Sequence, residues 1–189
     1  MPAFRHVVVI VFENHSARRI LDYPGSPFRR LAHRYALLRR YDAVAHPSLP
    51  NYLALVSGST HGLHHDCTAC FVGGPNLADT LAARGLTWRM YVEQLDIYRD
   101  QGRRITGPEK ARLPFLYFCH LAASRRSDRR GGGGRVPAIV AGPFVRPSSV
   151  SVVPLDHYSL LRTIEDAWGL PRLGRSALAR PITGIWRGT

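Results

Sequence analysis

Glu13, Asn14, His15 and Ser16 follow directly on an unbroken apolar run, Val7 to Phe12. A carboxylate and an amide delivered together at the end of such a run are oxygen donors suited to a divalent cation or a polar substrate. A second cluster, His46, Ser48 and Asn51, lies in AHPSLPNYLALVSG, Ala45 to Gly58. Pro50 has its φ preset and needs no amide donor, so it fits the first turn of a helix and makes Ser48 a natural N-cap. A hydroxyl there sits beside free backbone N–H groups and the positive end of the helix dipole. That geometry binds phosphate and favours an alkoxide over a hydroxyl. Each segment alone also has a plain reading, a strand-end loop in the first case and a structural cap in the second.

The elements that position these residues alternate between strand and helix. Val7 to Phe12, four valines with Ile10 and Phe12, reads as a strand covered on both faces, as in the centre of an α/β sheet. Active sites sit at the carboxyl ends of such strands. A helix is predicted from about Pro27 to Arg40, with Phe28, Leu31, Ala32, Tyr35 and Leu38 at helical spacing, then a strand or turn near Asp42 to Ala45 and a helix over Asn51 to Val56. Asn76 with Asp79 caps a helix through Ala83 that Gly85 ends, and Thr87 to Val92 reads as a strand delivering Glu93 to its end. Further strands are predicted at Phe115 to Phe118, Val136 to Val140 and Val150 to Val153. A last helix runs from about His157 to Trp168, with Asp156 as its cap and Gly169 and Pro171 closing it. On that helix Glu165 and Asp166 read as a solvated face. The tail from Arg175 is basic and weakly patterned.

The chain has 189 residues and 45% hydrophobic content, enough for one domain with a sizeable core. The expectation is a single domain over 1–189 with a flexible Arg/Gly-rich joint at 124–135. There is no apolar run of transmembrane length, and the first strand starts too near Met1 for a secretory leader. The net charge of +13 comes from 26 basic and 13 acidic residues, and Lys110 is the only lysine. Such a balance attracts anionic partners in general. The arginines are spread without an aromatic-interleaved pattern, so no specific nucleic-acid partner is expected. Cys67 and Cys70 form a lone CxxC beside His64, His65 and Asp66, a weak signal for a metal site, and Cys119 is left over.

FENHS after a strand and HPSLPNYLALVSG after a helix resemble the phosphoesterase family that includes bacterial acid phosphatases and phosphatidylcholine-type phospholipases C. CTACFVGGPNLADTLAARGLTWRMYVE and RVPAIVAGPFVRPSSVSVVPLDHYSLLRTIEDAWGLPRLG agree with it, in the family's order. The resemblance implies an alkaline-phosphatase-like α/β/α sandwich with a mostly parallel central sheet. It implies Glu13 and Asn14 as metal ligands, and Ser48 as the nucleophile that also touches the metal and becomes a phosphoserine. His46 and Asn51 would steady the phosphoryl group or the serine, and His157 would point into the same site. The resemblance also implies one divalent metal ion, a phosphate-ester substrate, oxidation of the Cys67–Cys70 loop and, for many members, export.

The chain departs from the family between LPFLYF, ending at Phe118, and Val136, which are joined by CHLAASRRSDRRGGGGR alone. Members carry there an Asp-rich loop and a strand ending in an adjacent Asp-Glu pair that completes the metal site. The internal deletion leaves Glu13, Asn14 and Ser48 as the protein oxygens, with Asp128 in the replacement segment a weak substitute. A hard divalent cation prefers more oxygens and more charge than these supply. The loss of a central strand leaves its neighbours to re-pair or to expose edges. The expected activity is therefore metal-dependent hydrolysis of phosphate esters, impaired by the deletion. The alternatives are an inactive phosphate-binding remnant and a basic binder of nucleic acid or anionic surfaces.

Overall fold

Ala36 and Leu38 turn inward on either side of half-buried Leu37, and this two-residue period makes Ala36–Leu38 the central strand, β1. The computed structural model describes residues 1–2, 4–12, 15–92, 110, 112–118 and 133–188. β1 pairs antiparallel with β2 (Ala138–Val140; Ala36 opposite Val140) and parallel with β3 (Val150–Ser151; Leu37 opposite Val150), giving the order β2-β1-β3. The sheet is mixed, not mostly parallel. The link from Val140 to Val150 is too short for a crossover helix, so β2 and β3 run in opposite senses and β1 takes one neighbour of each kind. The ladder continues past β1 through bridges from Tyr41 to Leu155 and from Asp42 to Arg135. Ala43 exchanges backbone hydrogen bonds with Gly133 and Gly134. The last residues of the expected joint are therefore paired, while 124–132, with Asp128, lie outside the described residues.

The helix predicted from Pro27 to Arg40 is shorter. After α1 (Ala17–Leu21), α2 (Pro27–Arg34) ends where Tyr35 turns extended, at φ −120° and ψ −148°. Leu38 fits both the helical spacing and the strand period, and pairing with β2 and β3 decides between them. Val7 to Phe12 departs further from expectation, because it belongs to no strand and all of it but half-buried Val7 is exposed, Val8 by 80%, Ile10 by 71% and Phe12 by 67%. A run apolar on both faces needs a strand on each side, and among the described residues the two beside β1 are spent on it. Its ends are tethered, the Phe4 carbonyl to the Trp168 indole N–H at 2.9 Å and the Phe12 ring edge-on to Phe28. Thr87 to Val92 is likewise unpaired, and Pro114–Tyr117 forms a 3-10 turn from which Phe118 alone bridges to Val72.

Three helices agree closely with the sequence pattern: α3 (Ser48–Ser57), α4 (Leu77–Ala83) with the Asn76/Asp79 capping box, and α5 (His157–Trp168) with Asp156 as N-cap and Gly169 left-handed at its end. α3 packs along α5. Their C-terminal ends meet where Gly58, at φ +68°, abuts Leu173, and a Cβ there would fall on the Leu173 carbonyl. Leu49, Leu53, Val72 and Tyr117 form one core cluster; Ala36, Leu38, Tyr41, Val145, Leu155, Ile182 and Ile185 form the other. The tail thus supplies core residues despite its weak pattern. Glu165 is fully buried, against the solvated face expected for it. No described helix is long and apolar enough to cross a membrane.

These placements give a direct contrast. Ile10→Ser is expected to leave the free energy of unfolding within about 0.5 kcal/mol of the parent. Leu53→Ala, at a fully buried site in α3, is expected to cost about 2–5 kcal/mol. Urea titration of the two variants reads both, and a large loss from Ile10→Ser would show that Val7 to Phe12 is buried after all.

Candidate active site

Ser48 is the first residue of α3 rather than its cap; Pro47 holds the N-cap position and no side chain caps the turn from there. The Ser48 side chain is half-buried, and its hydroxyl makes no hydrogen bond to any described residue. The first turn is held from both sides. Asp66 Oδ1 accepts the Leu49 N–H at 2.9 Å. Asn51 Oδ1 accepts the N–H groups of Val44 and Ala45 at 2.9 and 3.1 Å, and its Nδ2 donates to the carbonyls of Ala45 and Pro47 at 2.8 and 2.9 Å. Two acceptor sites and two donors exhaust the hydrogen-bonding capacity of an amide. Asn51 therefore shapes the loop that delivers Ser48.

His157 opens α5 as Ser48 opens α3, each in the first turn of a helix with its partial positive charge. The buried Tyr41 hydroxyl and His157 Nδ1 are 2.9 Å apart. With the hydroxyl as donor to Nδ1, a neutral imidazole carries its proton on Nε2. Burial pushes the Tyr41 phenol upward, reinforced by the Asp156 charge, and lowers His157 to about 4. His46 is exposed on the same loop, its Nε2 3.7 Å from where a Cβ on Gly134 would sit. Glu13 and Asn14 lie outside the described residues, as does Glu93. Among the described residues no group of three His, Cys, Asp or Glu side chains could hold a metal ion. Cys67 and Cys70 are joined in a disulfide.

Two site residues were not singled out from sequence. Asp66 was visible only as a neighbour of the CxxC pair. Tyr41 carried no signal, since its partnership with His157 spans 116 positions.

His157 gives a pH test. Its folded value lies below the ordinary 6.5, so under acid conditions the unfolded chain binds a proton that the folded one refuses. Its contribution to stability is complete above pH 6.5 and is expected to fall as the pH drops towards 4, by roughly 2 kcal/mol. His157→Gln should flatten this part of the stability profile in urea titrations, and an unchanged slope would contradict the burial of the ring.

Comparison with known proteins adds the decisive observation. The profile of the Phosphoesterase family matches residues 21–127 and 110–171, most of the chain. The chain belongs to the phosphoesterase family. His46, Ser48, Asn51 and His157 fall inside the matched stretches, and Glu13 and Asn14 precede them. A phosphatidylinositol-3-phosphatase of Mycobacterium tuberculosis is 27% identical over 98% of this phosphoesterase chain and 84% of its own length. A phosphate-repressible acid phosphatase of Penicillium chrysogenum is 33% identical over 43% of this chain, and an acid phosphatase of Aspergillus fumigatus 35% identical over 42%. The aligned parts are 20% and 18% of those two fungal enzymes. The mycobacterial alignment extends over 254 positions against 189 residues here, so that relative carries dozens of residues with no counterpart in this phosphoesterase.

Proposed function

We propose that the chain is a phosphate-ester hydrolase in which Ser48 attacks phosphorus and forms a phosphoserine that water then releases. The observation that carries this reading is the Ser48 hydroxyl at the start of α3, without a hydrogen-bond partner among the described residues, on a loop held by all four hydrogen-bonding positions of Asn51. The helix start at Ser48 favours an anionic phosphoryl group beside it. His157 would donate from Nε2 to a phosphoryl oxygen, fixed in that tautomer by Tyr41. His46 would meet the same group from the solvent side. The fold would derive from an alkaline-phosphatase-like sandwich shortened after Phe118. The overlap of the two family matches over 110–127 supports a break there.

Glu13, Asn14 and Ser48 are oxygen donors of the kind a hard divalent cation takes, fewer and less charged than it prefers, and they are the residues that would hold it. When bound, that ion would polarise the phosphoryl oxygens and lower the pKa of the serine hydroxyl. A second reading, a phosphate-binding remnant without turnover, is favoured by the length missing relative to the mycobacterial phosphatase. Hydrolysis of a chromogenic phosphate monoester and a diester, with chelator and with added divalent cations, separates the two. Metal-dependent release of the chromophore is expected. A folded protein that binds orthophosphate yet releases nothing with any cation would leave the remnant.

A further inference from the structure

Asp66, 18 positions from Ser48 in sequence, accepts the N–H of Leu49, the next residue after Ser48. A carboxylate accepting an amide from the first turn of a helix stabilises that turn and the residue next to it. Asp66 itself is exposed, so something must keep it in place. Cys67, the next residue, is tied to Cys70 by the disulfide, which closes a four-residue loop. The Cys67 carbonyl accepts the Tyr117 O–H at 2.8 Å, and the Thr68 carbonyl accepts the ammonium of Lys110 at 2.7 Å. Tyr117 is fully buried, and the buried Lys110 ammonium lies over the rings of Phe71 and Tyr117 at 4.7 and 4.4 Å. Burial, and after it the Asp66 charge, pushes the Tyr117 phenol up to about 12. A continuous path thus runs from core residues through the disulfide loop and Asp66 to the turn that carries the hydroxyl.

We infer that Asp66, held by the Cys67–Cys70 loop, is a positioning residue that fixes the first turn of α3 and so aims the Ser48 hydroxyl. The inference rests on the reading of Ser48 as nucleophile. Its alternative is a purely structural cap, whose loss would lower stability without a specific effect on turnover.

Two readouts on the full chain test it, amide hydrogen exchange of the segment 46–53 and turnover of a chromogenic phosphate monoester. Asp66→Ala is expected to reduce protection in 46–53 by about fivefold, the scale of a lost helix cap, with 157–168 unchanged. It should also lower kcat by roughly 10- to 100-fold, with KM held within about twofold. Asp66→Asn keeps an oxygen for the Leu49 N–H and should recover most of both effects. Replacing Cys67 and Cys70 by Ser should loosen the same segment, and adding Asp66→Ala to that pair should bring little more.

Unchanged exchange in Asp66→Ala, a uniform loss of protection across the chain, or an unchanged kcat would each overturn the inference. An Asp66→Asn variant as impaired in turnover as Asp66→Ala would also overturn it, because charge and not placement would then matter. A wild-type protein without turnover would instead sink the hydrolase reading, and the exchange experiment would still decide whether Asp66 sets the turn.

Discussion

Ser48→Ala is expected to lower phosphate-ester turnover on the order of 10⁴- to 10⁶-fold, to the level of the uncatalysed background. The size follows from the role, since an alanine leaves no atom to carry the phosphoryl group and the two-step route closes altogether. The fold should not notice. Ser48 is a helical residue behind a proline cap, its hydroxyl has no partner among the described residues, and alanine is the better helix former. A stability change within about 0.5 kcal/mol is expected, so the melting curve of the variant should overlay that of the parent. Quenching the parent during turnover should also leave a phosphoryl group on the peptide containing Ser48, absent in the variant. A Ser48→Ala protein that keeps half of the parent's kcat would place the chemistry elsewhere.

The site was legible where it depends on local sequence. Asp156 and Gly169 bound α5 because a cap and a left-handed stop act within one turn, and Asn76 with Asp79 does the same for α4. Ser48 at the start of a helix was readable from the prolines around it, although its exact place relative to the cap was not. What sequence could not supply is pairing across distance. Val7 to Phe12 has the composition of a buried strand, yet composition cannot tell whether flanking strands exist to cover it. Leu38 satisfies two periods at once, and hydrogen bonds to residues a hundred positions away choose between them. For Asn51 the resemblance implied a part in steadying the phosphoryl group or the serine, and its bonding pattern was not legible. Its four backbone bonds, made within seven positions, shape the loop that delivers Ser48. The mixed sheet has the same origin, in a short return from Val140 to Val150 whose consequence appears only when both ends are paired.

Glu165 carries the largest stability prediction. Its side chain is fully buried, with Oε1 accepting the Leu173 N–H at 2.9 Å and Oε2 the Ser176 hydroxyl at 2.6 Å. These bonds fold the segment after α5 back over the helix. Arg162 secures the same segment through the carbonyls of Ser176, Ala177 and Ala179. Glu165→Ala would remove both acceptors and leave a cavity, an expected loss of about 3 kcal/mol, or roughly 10 °C in melting temperature. Glu165→Gln can accept from Leu173 with its oxygen and donate to the Ser176 hydroxyl with its nitrogen, so it should stay within about 1 kcal/mol of the parent. Burial raises the Glu165 carboxyl above its ordinary value, and the hydrogen bonds from Ser176 and Leu173 only partly oppose this. A raised acid binds its proton more tightly in the fold than in the unfolded chain. Its contribution is therefore present at low pH and is lost as the pH rises from about 4.5 through the folded value. Glu165→Gln removes that loss, so the variant should gain on the parent as the pH increases, opposite in slope to the effect of His157. Urea titrations of both proteins from pH 4 to 8 measure the difference. A Gln variant that instead loses ground with rising pH would show that the ionised carboxylate is the form the fold prefers.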